Sequence, residues 1–304
     1  MNDKVQLRGK GIYVEMVGPL DAPPLLYLHG GLGGAGSYDF VHDQGERLSQ
    51  GVWLIAPDRR GVLRSDALLS GEPFGLQDLL QDIEDLRCRL GLERWSVLGH
   101  AFGGWLATLY AATYPERVEC LLLECPTFDL GLTARSLLQG AALELEKWGK
   151  YHEAVKCREL IGEPDLHIAW AGCQDALKLL GKRAHALYLQ HPDKNHYDRL
   201  RAESFLSPDL WERGLDVEAR LLAEGRVFRS LLPLLPQIVQ PTLLLYGKYD
   251  RVLSAEQLDP FVRAVPHARV ECFADSAHAP RFEEPERYAE TVIAFLQAHR
   301  PRLL

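Results

Sequence analysis

Short, continuously apolar runs punctuate the first 125 residues of this chain. Gly11 to Val17, Pro24 to His29, Val52 to Pro57, Trp95 to Leu98 and Val118 to Glu124 have the length of strands, not of helices. They are apolar on both sides instead of alternating, so they predict a largely parallel sheet covered on both faces. Between them apolar positions recur at helical spacing. Such stretches are Ser37 to Leu48, Gly75 to Leu90 with Leu79, Leu80, Ile83 and Leu86, and Phe102 to Tyr114, stopped by Pro115. Strand alternating with helix predicts a doubly wound α/β fold.

The alternation breaks at about Asp129. From there to about Pro236 the pattern is helical, with amphipathic stretches at Ser136 to Lys147 and Asp175 to Leu189. After Pro241 the earlier rhythm returns in Thr242 to Tyr246, Ala255 to Val265, Ala268 to Phe273 and Pro285 to Gln297. The expected organisation is one α/β core made of residues 1–129 and 237–304. A helical cap, residues 130–236, is inserted between its sixth and seventh strands.

Composition narrows the partners. A chain of 304 residues that is 47% hydrophobic can bury a large core. A formal net charge of -8 offers no basic footprint for nucleic acid or anionic membranes. No apolar run is long enough to span a bilayer, and the polar Met1 to Gln6 is unlike a signal peptide, which points to the cytoplasm. The expected partner is a small molecule. The six cysteines form no Cys-x-x-Cys pair, and Cys120 and Cys125 read as opposite faces of one strand. Buried free thiols are expected, with no disulfide, metal site or cofactor.

Open α/β sheets place their chemistry in loops at the carboxyl ends of strands. Four such loops stand out. Leu98-Gly99-His100-Ala101-Phe102-Gly103-Gly104 has the glycine spacing of a sharp strand-to-helix turn that exposes a nucleophile at its apex, yet the apex residue is alanine. His29-Gly30-Gly31-Leu32-Gly33-Gly34 can aim a backbone N–H outward, so the N–H groups of Gly31 and Phe102 form a candidate oxyanion hole. It is not a phosphate cradle, because no Lys-Ser or Lys-Thr follows. Asp58 to Asp66 reads as a turn held by Asp and Arg pairs. Asp250 emerges directly from an apolar strand and His278 follows the last one. Alone each is an ordinary loop residue. Together, the chain order of elbow, Asp and His matches a serine hydrolase on this architecture.

At this point the chain resembles the α/β-hydrolase superfamily across nearly its full length. The matching pieces are His29-Gly30-Gly31-x-Gly33, Asp58-x-Arg60-Gly61 with Arg64-Ser65, Gly99-His100-x-Phe102-Gly103-Gly104, Tyr114-Pro115-Glu116-Arg117-Val118, Gly247-x-x-Asp250 and His278-x-Pro280 with Glu284-Pro285-Glu286. The His-Gly-Gly loop and long helical cap look most like proline iminopeptidases. That family usually has proline where Leu32 stands, Gly-Gly-Ser-Trp-Gly at the elbow and glycine near Leu63. Phe102 after the apex and His100 before it look like the serine esterase and peptidase branch, not the aspartate-nucleophile branch.

By this resemblance Asp250 orients His278, His278 deprotonates a nucleophile at position 101, and Gly31 and Phe102 hold the tetrahedral intermediate. Leu32 and Trp105 are the substrate-binding candidates. The implied reaction is cleavage of a small amide or ester through an acyl-enzyme. Ala101 has no oxygen to attack with, so the chain reads as a serine hydrolase in which alanine has replaced serine, a variant expected to be nearly inert. The alternatives are a carboxylesterase or lactonase, and a non-catalytic small-molecule receptor on the same frame. Trp148, Trp170, Trp211, Tyr188, Phe205 and Phe228 are candidate pocket walls. Glu144, Glu146, Glu203 and Glu224 are candidate anchors for an ammonium group.

Overall fold

The computed structural model describes residues 2–34, 36–192 and 197–300. Eight strands form one sheet: β1 (Asn2–Leu7), β2 (Lys10–Val17), β3 (Pro24–Leu28), β4 (Trp53–Pro57), β5 (Trp95–His100), β6 (Val118–Glu124), β7 (Thr242–Gly247) and β8 (Arg269–Phe273). Their order is β1-β2-β4-β3-β5-β6-β7-β8. The β1–β2 and β2–β4 pairs are antiparallel and the remaining pairs are parallel.

The apolar strands lie where both faces are covered. In β3, Leu26 and Leu28 enter a cluster shared with α2 (Leu76–Arg89) and α3 (Phe102–Thr113). Leu25 and Tyr27, pointing the other way, enter a second cluster with Phe40 and Leu48 of α1 (Tyr38–Leu48) and Tyr288, Val292 and Phe295 of α12 (Pro285–Ala298). Residues alternate across a strand, so a run with no polar position is the run that needs helices on both sides.

Between β6 and β7 lie α4 (Leu130–Lys147), α5 (Tyr151–Ile161), α6 (Leu166–Leu180), α7 (Tyr197–Glu203), α8 (Pro208–Glu212) and α9 (Gly214–Glu224). No strand interrupts them among the described residues. Their own core joins Leu138, Ala141 and Leu145 of α4 to Ala154 and Cys157 of α5 and Cys173 and Ala176 of α6. Val217 and Leu221 of α9 instead join the cluster beneath. The helical stretch expected over Asp175 to Leu189 is broken. The α-helix stops at Leu180, because Gly181 takes a positive φ of 54°, and a 3-10 turn follows. The remaining helices are α10 (Ala255–Ala264) and α11 (Pro280–Glu283). Among the described residues no helix is long and apolar enough to cross a membrane.

The cysteine reading is corrected in part. All six thiols are free, but Cys88 and Cys272 are exposed. Cys125 also lies just beyond β6 at a φ of 44°, not on the strand, so it does not simply oppose Cys120.

Candidate active site

The elbow forms as its glycines require. Ala101 sits between β5 and α3 at φ 51° and ψ -116°, a conformation that costs a non-glycine residue energy and persists only where its surroundings over-determine it. A Cβ on Gly99 would meet the Gly103 carbonyl, and one on Gly103 would meet the Leu28 carbonyl. The strand and helix can approach this closely only through glycine. Gly103→Ala is therefore expected to cost about 3 kcal/mol or more, at the upper end for overpacking, and denaturant unfolding would read it. A loss below about 1 kcal/mol would mean that the approach relaxes easily.

His278 follows β8 and Asp250 follows β7. The His278 Nδ1 lies 2.9 Å from Asp250 Oδ1, and the same carboxylate accepts from the N–H of Val252 at 2.9 Å and of Leu253 at 3.2 Å. The His278 loop is held from three other directions. Its own N–H donates to Tyr188 O at 2.9 Å, and its carbonyl takes the His100 Nε2–H at 3.0 Å. Glu283 accepts from Ala277 N at 2.7 Å. Burial, with help from Arg281, keeps His100 well below the usual histidine range, so its ring is a neutral donor at physiological pH.

The turn at Gly30 and Gly31 has its own clamp. Arg59 donates to His29 Nε2 from its backbone N–H at 3.2 Å and its Nε at 3.1 Å, which fixes the His29 proton on Nδ1, 3.1 Å from Gly30 O. Arg59 Nη2 also reaches Gly31 O at 2.5 Å and Leu32 O at 3.2 Å. In a trans peptide the C=O and N–H point opposite ways, so drawing Gly30 O toward His29 turns the Gly31 N–H away from it. Phe102 opens α3, and an N–H in the first helical turn has no intrahelical partner. Burial lowers Arg59 to about 9, which leaves it charged at neutral pH.

One cavity of about 210 Å³ gathers these parts. Gly31, Leu32, Ala101, Phe102 and His278 line it from the sheet side, with Trp170, Gln174, Tyr188 and Glu218 among the residues opposite. The model of the α/β hydrolase fold family matches residues 23–158. A proline iminopeptidase of Xylella fastidiosa is 26% identical over 280 residues, covering 88% of this chain and 87% of that one. The human serine hydrolase-like protein is 37% identical over 114 residues, 37% of this chain and 55% of that one. A crystal structure of a proline iminopeptidase-related protein from Thermus thermophilus superposes with a TM-score of 0.78 at 24% identity, covering 100% of this chain and 99% of that one. The chain has the α/β-hydrolase fold.

Within this hydrolase frame, several expected residues lie elsewhere. Trp105 is in the core, 1% exposed and stacked on Phe102 at 5.6 Å, because a residue one turn into α3 faces the sheet and not the cavity. Among the aromatic candidates Trp170 and Tyr188 reach the cavity. Trp148 packs under Lys150 and Arg183, Trp211 packs against Tyr38, Phe228 meets His167, and Phe205 is exposed.

None of the four acidic candidates lines the cavity. Glu144 pairs with Lys147, Glu146 pairs with Arg158, Glu203 lies outside the lining, and Glu224 accepts from Leu76 N. The carboxyl that does line it is Glu218 of α9. Burial raises Glu218 above the usual carboxylate range, while Trp170 and Lys178 hold it back.

Cys125 is a further neighbour missed by sequence reasoning. Its sulfur lies within 4.8 Å of the nearest ligand atoms of Asp250 and His278, and burial beside that carboxylate pushes the thiol well above its usual range. It therefore stays protonated against the dyad. The turn at Asp58 is as expected: its carboxylate takes the Arg64 Nε at 2.7 Å, and Leu63 occupies φ 44°, where the resembling family has glycine nearby.

Proposed function

We propose that this chain carries the site of a serine-type hydrolase for a small amide or ester bearing a free amine, proline iminopeptidase-like, with alanine at the nucleophile position. The observation that carries the reading is the single cavity shared by Ala101, His278, Gly31, Phe102 and Glu218. The first four supply the elbow apex, the base and the oxyanion donors. Glu218 adds a negative charge on the side facing them, where the ammonium of a short substrate would sit. Pairing with an ammonium offsets part of the desolvation penalty that raises this carboxyl.

The chain as it stands can bind without cleaving efficiently, so affinity tests the reading directly. A prolyl or alanyl anilide with a free amine is expected to bind about ten- to a hundredfold more tightly than its N-acetylated form, since a hydrogen bond to a charged group contributes about 1.5 to 3 kcal/mol. Glu218→Gln should erase most of that preference. Titration calorimetry on both ligands decides it. Equal or tighter binding of the acetylated compound would overturn the amine-bearing substrate and favour an uncharged ester or lactone.

A further inference from the structure

We propose that Ala101 changes the nucleophile of this site instead of abolishing it. A water held over the Ala101 methyl, between His278 Nε2 and the Thr127 hydroxyl, attacks the substrate carbonyl directly. This rests on reading the cavity as a hydrolase site, and it adds a route that needs no acyl-enzyme.

The first support is the base. His278 Nδ1 is committed to Asp250 at 2.9 Å, which places the proton on Nδ1 and the lone pair on Nε2. Nε2 is the ring nitrogen left for the cavity that His278 shares with Ala101. Where serine would place its hydroxyl, this chain has only a methyl, so a proton for Nε2 must come from water or from the substrate.

The second support comes from counting protons beside the elbow. Gln257 Oε1 accepts from the N–H groups of Phe128 at 2.7 Å and Asp129 at 2.9 Å, which fixes its Nε2 as the donor side. That Nε2 donates to Val252 O at 2.8 Å and to Thr133 Oγ1 at 3.1 Å. The Thr133 hydroxyl gives its one proton to Val252 O at 3.1 Å. With its proton on Val252 O, Thr133 accepts in its 2.8 Å contact with Thr127, and Thr127 is the donor in that arrangement. Its oxygen keeps a lone pair, and Thr127 lines the same cavity, tied to the elbow by its N–H to Ala101 O at 3.2 Å. A water there has two acceptors for its two hydrogens. Its oxygen lone pair is left to face a carbonyl carbon. Leu130, Leu137 and Val252 add apolar lining to the same cavity.

The step balances with water alone. The water oxygen bonds to the carbonyl carbon, one of its protons passes to His278 Nε2, and the carbonyl π pair becomes an oxyanion facing the N–H groups of Gly31 and Phe102. When that pair re-forms the C=O bond, the bond to the leaving group breaks and its electrons depart with the leaving group. The proton on Nε2 follows them. The products are an acid and an alcohol or amine, and His278 returns neutral.

The test uses the chain itself with p-nitrophenyl acetate, a small activated ester independent of the natural substrate. His278→Ala is expected to lower the rate above buffer by about a hundredfold or more, the usual span of general-base catalysis. Thr127→Val should lower kcat severalfold with KM little changed, and Thr127→Ser, which keeps the oxygen, should restore it. No acyl adduct dependent on His278 should appear by mass spectrometry. Labelling of the exposed Cys88 or Cys272 would be equal in all forms, so it cancels in the comparison. A parent rate indifferent to His278→Ala overturns the water route. If Ala101→Ser is active in that case, the hydrolase reading stands and only this inference fails. If Ala101→Ser is inert as well, the hydrolase reading fails with it.

Discussion

Ala101→Ser is expected to raise turnover of an activated ester by about two to four powers of ten. Losing the nucleophile from a triad of this kind costs roughly six powers of ten in kcat. General-base catalysis through water gives back about two to four of them, and the remainder is the expected gain. The backbone is already in place, because position 101 holds φ 51° with an ordinary side chain on it. Ala101 is 7% exposed and lines the cavity, so one added oxygen meets open space instead of packed core. Stability should hardly change. The measurement is steady-state hydrolysis of p-nitrophenyl acetate, with circular dichroism to verify the fold. A folded but inert serine form would move the protein to the class of small-molecule receptors.

In that serine form, Asp250→Asn is expected to lower kcat by about ten thousandfold while KM changes little. Asp250 is 1% exposed at its side chain and accepts from His278 Nδ1 and two backbone N–H groups. An amide presents a donor where the imidazole needs an acceptor, which favours the wrong tautomer and removes the base from the nucleophile. Asparagine can still accept from one of the backbone groups, so the turn after β7 should survive. A drop smaller than tenfold would remove Asp250 from the dyad. The contrast between kcat and KM separates this role from a general loosening of the loop.

How much of this was legible in the sequence follows from what each residue touches. The inner strands were legible because a strand covered on both sides needs apolar residues on both faces, and β3 to β7 carry them, with polar residues such as Ser96, His100, Glu119, Glu124 and Thr242 at or near the strand ends. The first strand was not. Asn2 to Leu7 pairs only with β2 at the edge of the sheet, where alternating polar residues are tolerated, and its presence makes β6 the sixth strand. That Asp250 and His278 meet was legible because both follow strands whose carboxyl ends lie on one edge of the sheet. Glu218 and Thr127 were not. Glu218 sits in Gly214–Glu224, whose polar positions look alike until packing decides which one turns inward. Thr127 gained its meaning from a proton count that runs through Gln257, about 130 residues away along the chain. Trp105 was misplaced because a large aromatic near an elbow suits a substrate wall and a core position equally until the helix phase is known.

The ties around His278 have a mechanical consequence. Glu283 accepts from Ala277 N on one side and from Gln190 N at 2.7 Å and His191 N at 3.2 Å on the other, while Tyr188 O takes the N–H of His278 itself. The His278 loop and the segment 188–191 are thus stapled together by four hydrogen bonds. A cover that hinged open along this edge would drag the imidazole from its station or would first have to snap those bonds. Traffic of ligand in and out is therefore cheapest along the opposite rim, near α6 and α9, where Trp170, Gln174 and Glu218 stand between the cavity and an outer groove of about 330 Å³.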